Sequence, residues 1–267
     1  VRELPTRFPN VEIWMLDNLS TQRYPSLFNL SDKGRYRVLE KDILTTDLET
    51  TFAGADIVIH LAAITDATTS FEKKDEVDNV NCLGTRKVAQ ACANVGASLV
   101  FPSTTSVYGT QAKTIDESCA SEDLNPQSPY AESKLISEDY LNTLSKTGLK
   151  HVTCRFGTIF GVSPGMRFHT VVNKFCWQAV TGKPLTVWRT AFDQNRPYLD
   201  LSDAVAAIEF VIRKNIFAGT IYNVLTINAS VRTIIDQIRS YVPNLSIEYV
   251  DTEVMNQLSY EVSNERF

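Results

Sequence analysis

Basic charge, long apolar runs and paired cysteines are all scarce in this 267-residue sequence. Lys and Arg number 26 against 31 Asp and Glu, for a net charge of -5. That excludes the electropositive footprint of a nucleic-acid binder. The longest strongly apolar stretch, Ala55 to Ile64, falls far short of the roughly 20 residues that cross a bilayer, so no membrane partner is expected. Five cysteines (Cys82, Cys92, Cys119, Cys154, Cys176) are odd in number and show no C-x-x-C spacing. Free thiols in a reducing compartment are expected rather than a disulfide framework. The three histidines, His60, His151 and His169, are scattered, which argues against a metal site. No signal-peptide pattern is visible, and the cytoplasm is the expected location. What is present is ordinary for a folded chain: 43% apolar and 21% charged residues. The sequence starts at Val1 and stops at Asn264-Glu-Arg-Phe267 without a closing element, so it is expected to be a fragment.

Short apolar runs alternate with helical patterns in the first half. Val11–Leu16, Tyr36–Leu39, Asp56–Leu61, Ser98–Phe101 and His151–Arg155 read as strands. Asp75–Asn94 and Ser128–Leu144 read as helices, the first with Val77, Val80, Leu83, Val88, Ala91 and Cys92 at helical spacing. Strands separated by helices imply parallel β-α units with right-handed crossovers. Continuous apolar strands such as Ile57-Val-Ile59 suit a sheet covered on both faces. The expected class is a doubly wound α/β fold. After about Phe156 the pattern changes. A glycine-punctuated loop precedes helices over Thr170–Val180, Asp203–Arg213 and Val231–Tyr241, and strands over Pro184–Val187, Ile221–Leu225 and Ile247–Val250. This mixed segment reads as a smaller α/β lobe.

Open α/β sheets bind ligands at the carboxyl ends of their strands. Asp17 ends the first strand, where a carboxylate accepts hydrogen bonds from both hydroxyls of an adenosine ribose and repels a 2′-phosphate. A plain turn aspartate before Asn18 is an equally good reading of that residue alone. The sharpest pattern is Tyr130-Ala-Glu-Ser-Lys134. Residues at i and i+4 share a helix face, and an ammonium beside a phenol favours the phenolate. Ionising a phenol of pKa about 10 near neutrality takes about 4 kcal/mol of differential stabilisation. On its own the spacing also describes a surface helix pair. It gains weight from Pro129, a good first helical residue, and from the hydroxyl run Ser103-Thr-Thr-Ser106 directly after a buried strand.

With these motifs the chain resembles an extended short-chain dehydrogenase/reductase of the NAD-dependent sugar-nucleotide epimerase/dehydratase group, similar to UDP-glucose 4-epimerases, over nearly its whole length. His60-Leu-Ala-Ala63, Asn81-Cys-Leu-Gly-Thr85, Ser103–Gly109, Pro129–Lys134, Arg155–Gly161 and Arg196–Asp203 each match a family motif. The resemblance implies a Rossmann-like domain over residues 1–161, with about 197–225 packing on it, and a substrate lobe over most of 162–267. It implies roles as well. Tyr130 is the general base, Lys134 holds the nicotinamide ribose and lowers the Tyr130 pKa, and Thr104 hydrogen-bonds the reacting oxygen. NAD would meet Asp17, Asn18, Asp42, Ile43, Leu61, Ala62, Ala63 and Asn81. A nucleoside-diphosphate sugar would meet Thr104, Thr105, Thr158, Arg167, Asn173 and Arg196. A surface ion pair of Arg196 with Asp193 or Asp200 is the plainer alternative. Glu117, in the acidic loop Asp116–Asp123, is expected over the site. A homodimer through the Asp75–Asn94 and Tyr130 helices is implied by the resemblance alone.

The chain departs from the family in three places. The family's opening strand and Gly-x-x-Gly-x-x-Gly loop are not found, and Val1-Arg-Glu-Leu4 resembles the tail of the helix that follows them. Truncation at both ends, with weak NAD binding by this piece, is therefore expected. Thr105 and Ser106 stand where dehydratases carry Asp-Glu and decarboxylases a Glu. Hydroxyls alone favour epimerisation through a 4-keto sugar, with a keto-sugar reductase, dehydrogenase or dehydratase of the same family as the alternative and a non-catalytic scaffold further behind. Thr158 replaces the usual Asn of its motif.

Overall fold

The computed structural model describes residues 1–251 and 258–267. The strands are β1 Glu12–Asp17, β2 Arg35–Glu40, β3 Ile57–Ile59, β4 Ser98–Thr104, β5 His151–Phe156, β6 Thr158–Phe160, β7 Leu185–Trp188, β8 Asn195–Asp200, β9 Ala218–Val224, β10 Ile227–Ser230 and β11 Ile247–Val250. The helices are α1 Leu4–Arg7, α2 Leu48–Phe52, α3 Lys74–Val77, α4 Gly84–Val95, α5 Pro129–Ser145, α6 Val171–Val180, α7 Leu201–Arg213 and α8 Val231–Tyr241.

Strands β3-β4-β5-β9 form an all-parallel sheet, and β1-β2 form a separate parallel pair. The apolar run of β4 serves both faces of the sheet by alternation. Leu99 and Phe101 pack with Val88, Cys92 and Leu141 of α4 and α5. Val100 points the other way, to Val152 and Cys154 of β5 and to Ala204, Ala207 and Val211 of α7. This is a doubly wound α/β core. A second cluster joins Phe175 and Ala179 of α6 to Leu185, Tyr198, Ile234, Ile235 and Ile238. Around it lie the sheets β10-β8-β6 and β11-β7.

Local chemistry sets the helix ends. Ser128 caps α5 by accepting from the Ala131 N–H at 3.2 Å, and Pro129 occupies the first turn. Asp200 caps α7 through Ser202 N–H at 2.8 Å. The single helix expected over Asp75–Asn94 is α3, a wide π-type turn over Asp78–Leu83, and α4. Strands β6, β8 and β10 were not expected. Asn195-Arg-Pro-Tyr-Leu-Asp200 carries Pro197 and two charges, and becomes a strand by pairing with β10 and β6. The five cysteines are free. Among the described residues no helix is long and apolar enough to cross a membrane, and no His/Cys/Asp/Glu group could hold a metal ion.

Candidate active site

The carboxyl end of β4 and the first turns of α5 are stitched together at three successive residues. Pro102 offers its carbonyl to Lys134 Nζ at 2.9 Å. The Ser103 hydroxyl donates to the Glu138 carboxylate. Thr104 faces the Tyr130 phenol and opposes the rise of its pKa. A short helical turn, Thr105–Tyr108, follows, with Thr104 Oγ1 accepting from Ser106 N–H at 3.1 Å. Gly109 ends it at φ +66°, where a Cβ would lie 2.0 Å from the Asn125 carbonyl oxygen, so no side chain fits. Thr104, Thr105 and Lys134 are all buried.

The electrostatics differ from expectation at Tyr130. Burial pushes its phenol up to about 12; the Thr104 hydrogen bond and the Arg167 charge oppose that rise. Lys134 is itself pushed down to about 8 by burial, against the favourable charge of Glu138. Its ammonium is aimed at the Pro102 carbonyl, and the expected lowering of the phenol by this lysine is not seen.

The other expected residues divide into three groups. Asp17 is exposed at the end of β1 and accepts from Leu19 N–H at 2.7 Å, so it makes the turn and keeps its side chain accessible. Asn18 donates to Asp42 at 3.0 Å, and Asp42 accepts from Leu44 N–H, which with Asn18 holds its carboxyl below the usual range. Leu61 follows β3 with 65% of its surface exposed, next to half-buried Ala62 and Ala63.

Three residues are tied into the fold. Ile43 packs its side chain in the core against Gly84. Asn81 is 1% exposed. Its amide accepts from Ile64 N–H and donates to the Ile64 carbonyl and the Ser133 hydroxyl, so both of its N–H donors are engaged. Asn173 accepts from Gly161 N–H and donates to the Arg167 carbonyl, bracing the loop before α6.

On the lobe side, Arg167 donates to the Thr65 hydroxyl. Arg196 donates through Nε to the Leu258 carbonyl at 3.2 Å. The alternative partners suggested for it are engaged elsewhere: Asp193 pairs with Arg232, and Asp200 caps α7. Thr158 lies in β6 opposite Tyr198. Glu117 is not a substrate-facing group: its buried carboxylate accepts from Asn223 N–H and faces Arg266. Two groups went unread in the sequence. Tyr260 hydrogen-bonds Thr105 at 3.1 Å, and nothing local marks it. Glu138 continues the i, i+4 series of Tyr130 and Lys134, and that spacing was a usable signal.

Parallel strands that carry a carboxylate at the end of β1, small residues after β3 and a Thr/Tyr/Lys set where β4 meets α5 have the layout of a dinucleotide-dependent enzyme of the short-chain dehydrogenase type. Residues 7–224 match the NAD dependent epimerase/dehydratase family, and the chain belongs to it. It is 28% identical over 246 residues to an uncharacterized UDP-glucose epimerase, YtcB, of Bacillus subtilis (strain 168), covering 90% of this chain and 74% of that protein. It is 29% identical over 243 residues to a dTDP-D-glucose 4,6-dehydratase of Dictyostelium discoideum, covering 84% of this chain but only 54% of that protein. The fold matches DesIV, a dTDP-glucose 4,6-dehydratase of Streptomyces venezuelae, at TM-score 0.85 and 22% identity, over 99% of this chain and 82% of that one. It matches UDP-glucuronic acid 4-epimerase of Bacillus cereus at TM-score 0.82 and 22% identity, over 96% and 83%. The family's cofactor is NAD, and the residues present fit it: Asp17 for a ribose, the small Ala62 and Ala63 for close approach, and buried Lys134 beside Tyr130.

Proposed function

We propose that the protein interconverts epimers of a nucleoside-diphosphate sugar through a 4-keto intermediate. The observation that carries this reading is the make-up of the wall around Tyr130. Thr104, Thr105, Ser106 and Tyr260 supply hydroxyls there. The nearby carboxylates are engaged elsewhere, Glu138 with Arg155 and Ser103 and Glu117 with Asn223 N–H. Water elimination needs a free acid and base beside the sugar, whereas removal and return of one hydroxyl proton needs only Tyr130.

Tyr130 takes the proton of the sugar 4-hydroxyl, and Thr104 holds that oxygen in line. NAD, if held by Asp17, Ala62, Ala63 and Lys134, would supply a reversible hydride acceptor for C4. Tyr130 gives the proton back after the keto sugar has turned in the site. Arg196 is the candidate for the diphosphate, where a planar guanidinium suits two phosphate oxygens. A homodimer is part of the same reading, supported by the exposed apolar Leu83 and Ile136 on the π-type turn and α5; a cytoplasmic setting goes with it.

The test is incubation with NAD and a panel of uridine and thymidine diphosphate sugars, followed by proton NMR. An epimer without net NADH formation supports the proposal. A 4-keto-6-deoxy product, or net oxidation of added NADH, overturns it.

A further inference from the structure

Behind the Tyr130/Lys134 pair sits an ion pair that the proposed proton transfer does not use. Glu138 and Arg155 are 1% and 3% exposed. Arg155 Nη2 donates to Glu138 Oε2 at 2.7 Å and Nε reaches both carboxylate oxygens at 3.2 Å. The guanidinium lies over the Tyr108 ring, 4.8 Å from its centroid. Ser103 donates a further hydrogen bond to the same carboxylate. A buried pair of this kind contributes little net stability compared with an apolar replacement, so its presence beside a catalytic helix calls for another reason.

Lys134 supplies one. Glu138 follows it by four residues on α5, so their Cβ atoms share a helix face about 5–6 Å apart. The ammonium lies over the Phe101 ring, 4.6 Å from its centroid, and donates to the Pro102 carbonyl. The ionisable groups facing it come from every neighbouring element. His60, after β3, is pushed down to about 3 by burial and is neutral. Cys82, in the π-type turn, is pushed up and stays a thiol. Tyr130, one turn earlier, is a neutral phenol in the resting site. Glu138 is the anion in this set, and it cannot swing away because three donors hold it.

We propose that Glu138, locked by Arg155 and Ser103, is a positioning residue of the site: the fixed counter-charge that keeps the Lys134 ammonium protonated and aimed at the Pro102 carbonyl. The chain from Arg155 through Glu138 thereby fixes Lys134 one helical turn after Tyr130. The proposal rests on the assignment of Tyr130 and Lys134 above.

Lysine labelled with 13C at Cε reports the Lys134 titration by NMR, with the resonance assigned by its loss in Lys134→Met. No cofactor or sugar is required, so the outcome is independent of the epimerase reading. In Glu138→Gln the Lys134 midpoint is expected to fall by about one pH unit, because the buried ammonium loses its anion. Glu138→Asp keeps a charge against Arg155, and is therefore expected to fold even if the Gln variant does not. It should move the midpoint part of the way. Lys183, distant on the lobe, should not move in either variant. An unchanged Lys134 midpoint in a folded Glu138 variant overturns the proposal.

Discussion

The hydroxyls of Thr105 and Tyr260 lie 3.1 Å apart although 155 positions separate them in the chain. Tyr260 is 4% exposed and packs with Val107, Tyr108, Leu258 and Val262 in one cluster. The C-terminal segment therefore builds part of the site wall. Thr105 also donates to the Phe156 carbonyl, so it keeps a partner if the phenol is lost. Tyr260→Phe should cost about 1 kcal/mol, seen as a melting temperature lower by about 2–4 °C. A drop of that size, with the circular dichroism spectrum unchanged, checks the contact.

Tyr130→Phe tests the chemistry rather than the packing. The ring stays, and Thr104 retains the Ser106 N–H contact. Folding should be intact, while turnover of the nucleotide sugar should fall by about 100-fold or more, the usual contribution of a general base. Rates measured by NMR beside a melting curve separate the two effects.

Much of this site was legible in sequence because its signals are local. Pro129 after Ser128 marks a helix start, and Tyr130 and Lys134 then share a face whatever surrounds them. The apolar runs of β4 and β5 likewise require a covered sheet. What was missed depends on pairing across the chain. Asn81 and Ile43 belong to matching motifs, but only the packing shows the Asn81 amide bonded to Ile64 and Ser133, and Ile43 filling the space beside Gly84. Strand β8 is poor in strand-forming residues and exists through its neighbours β6 and β10. Tyr260 carries no local mark at all.

Breaking the buried ion pair should be expensive in a way surface pairs are not. Arg155→Met leaves the Glu138 carboxylate buried with only Ser103 donating, at a cost of about 3–5 kcal/mol. Glu138→Gln/Arg155→Met removes both charges and should recover part of that loss. Urea unfolding of the two variants measures the difference; equal losses would show that the charges do not interact.

Stability should also decline in mild acid. Burial lowers His60 to about 3 and His151 to about 4. An unfolded chain takes up these protons near pH 6.5, whereas the folded chain does not until far lower. The stabilisation is therefore complete above about pH 6.5 and is lost progressively as the pH falls toward 4. His60 has Thr85 as a partner at 3.0 Å, while both ring nitrogens of His151 lack one among the described residues. His151→Leu should be tolerated at pH 7.5 and should flatten the decline. Urea midpoints between pH 7.5 and 4.5 provide the comparison.

Asp17 decides between a turn residue and a cofactor ligand, and its geometry allows both at once. One carboxylate oxygen accepts from Leu19 N–H at 2.7 Å, and the side chain stays exposed at the end of β1. If it also accepts from the adenosine ribose, Asp17→Ala removes a charge-assisted contact valued at about 1.5–3 kcal/mol, or about 10- to 100-fold in NAD affinity. The same change removes the repulsion of a 2′-phosphate, so NADP should lose less than NAD and the preference between them should narrow. Asp17→Asn keeps the turn acceptor but not the charge. Calorimetric titration of both variants with NAD and NADP separates the roles: a ribose ligand makes Asn nearly as weak as Ala toward NAD, whereas a turn residue leaves Asn close to the native protein.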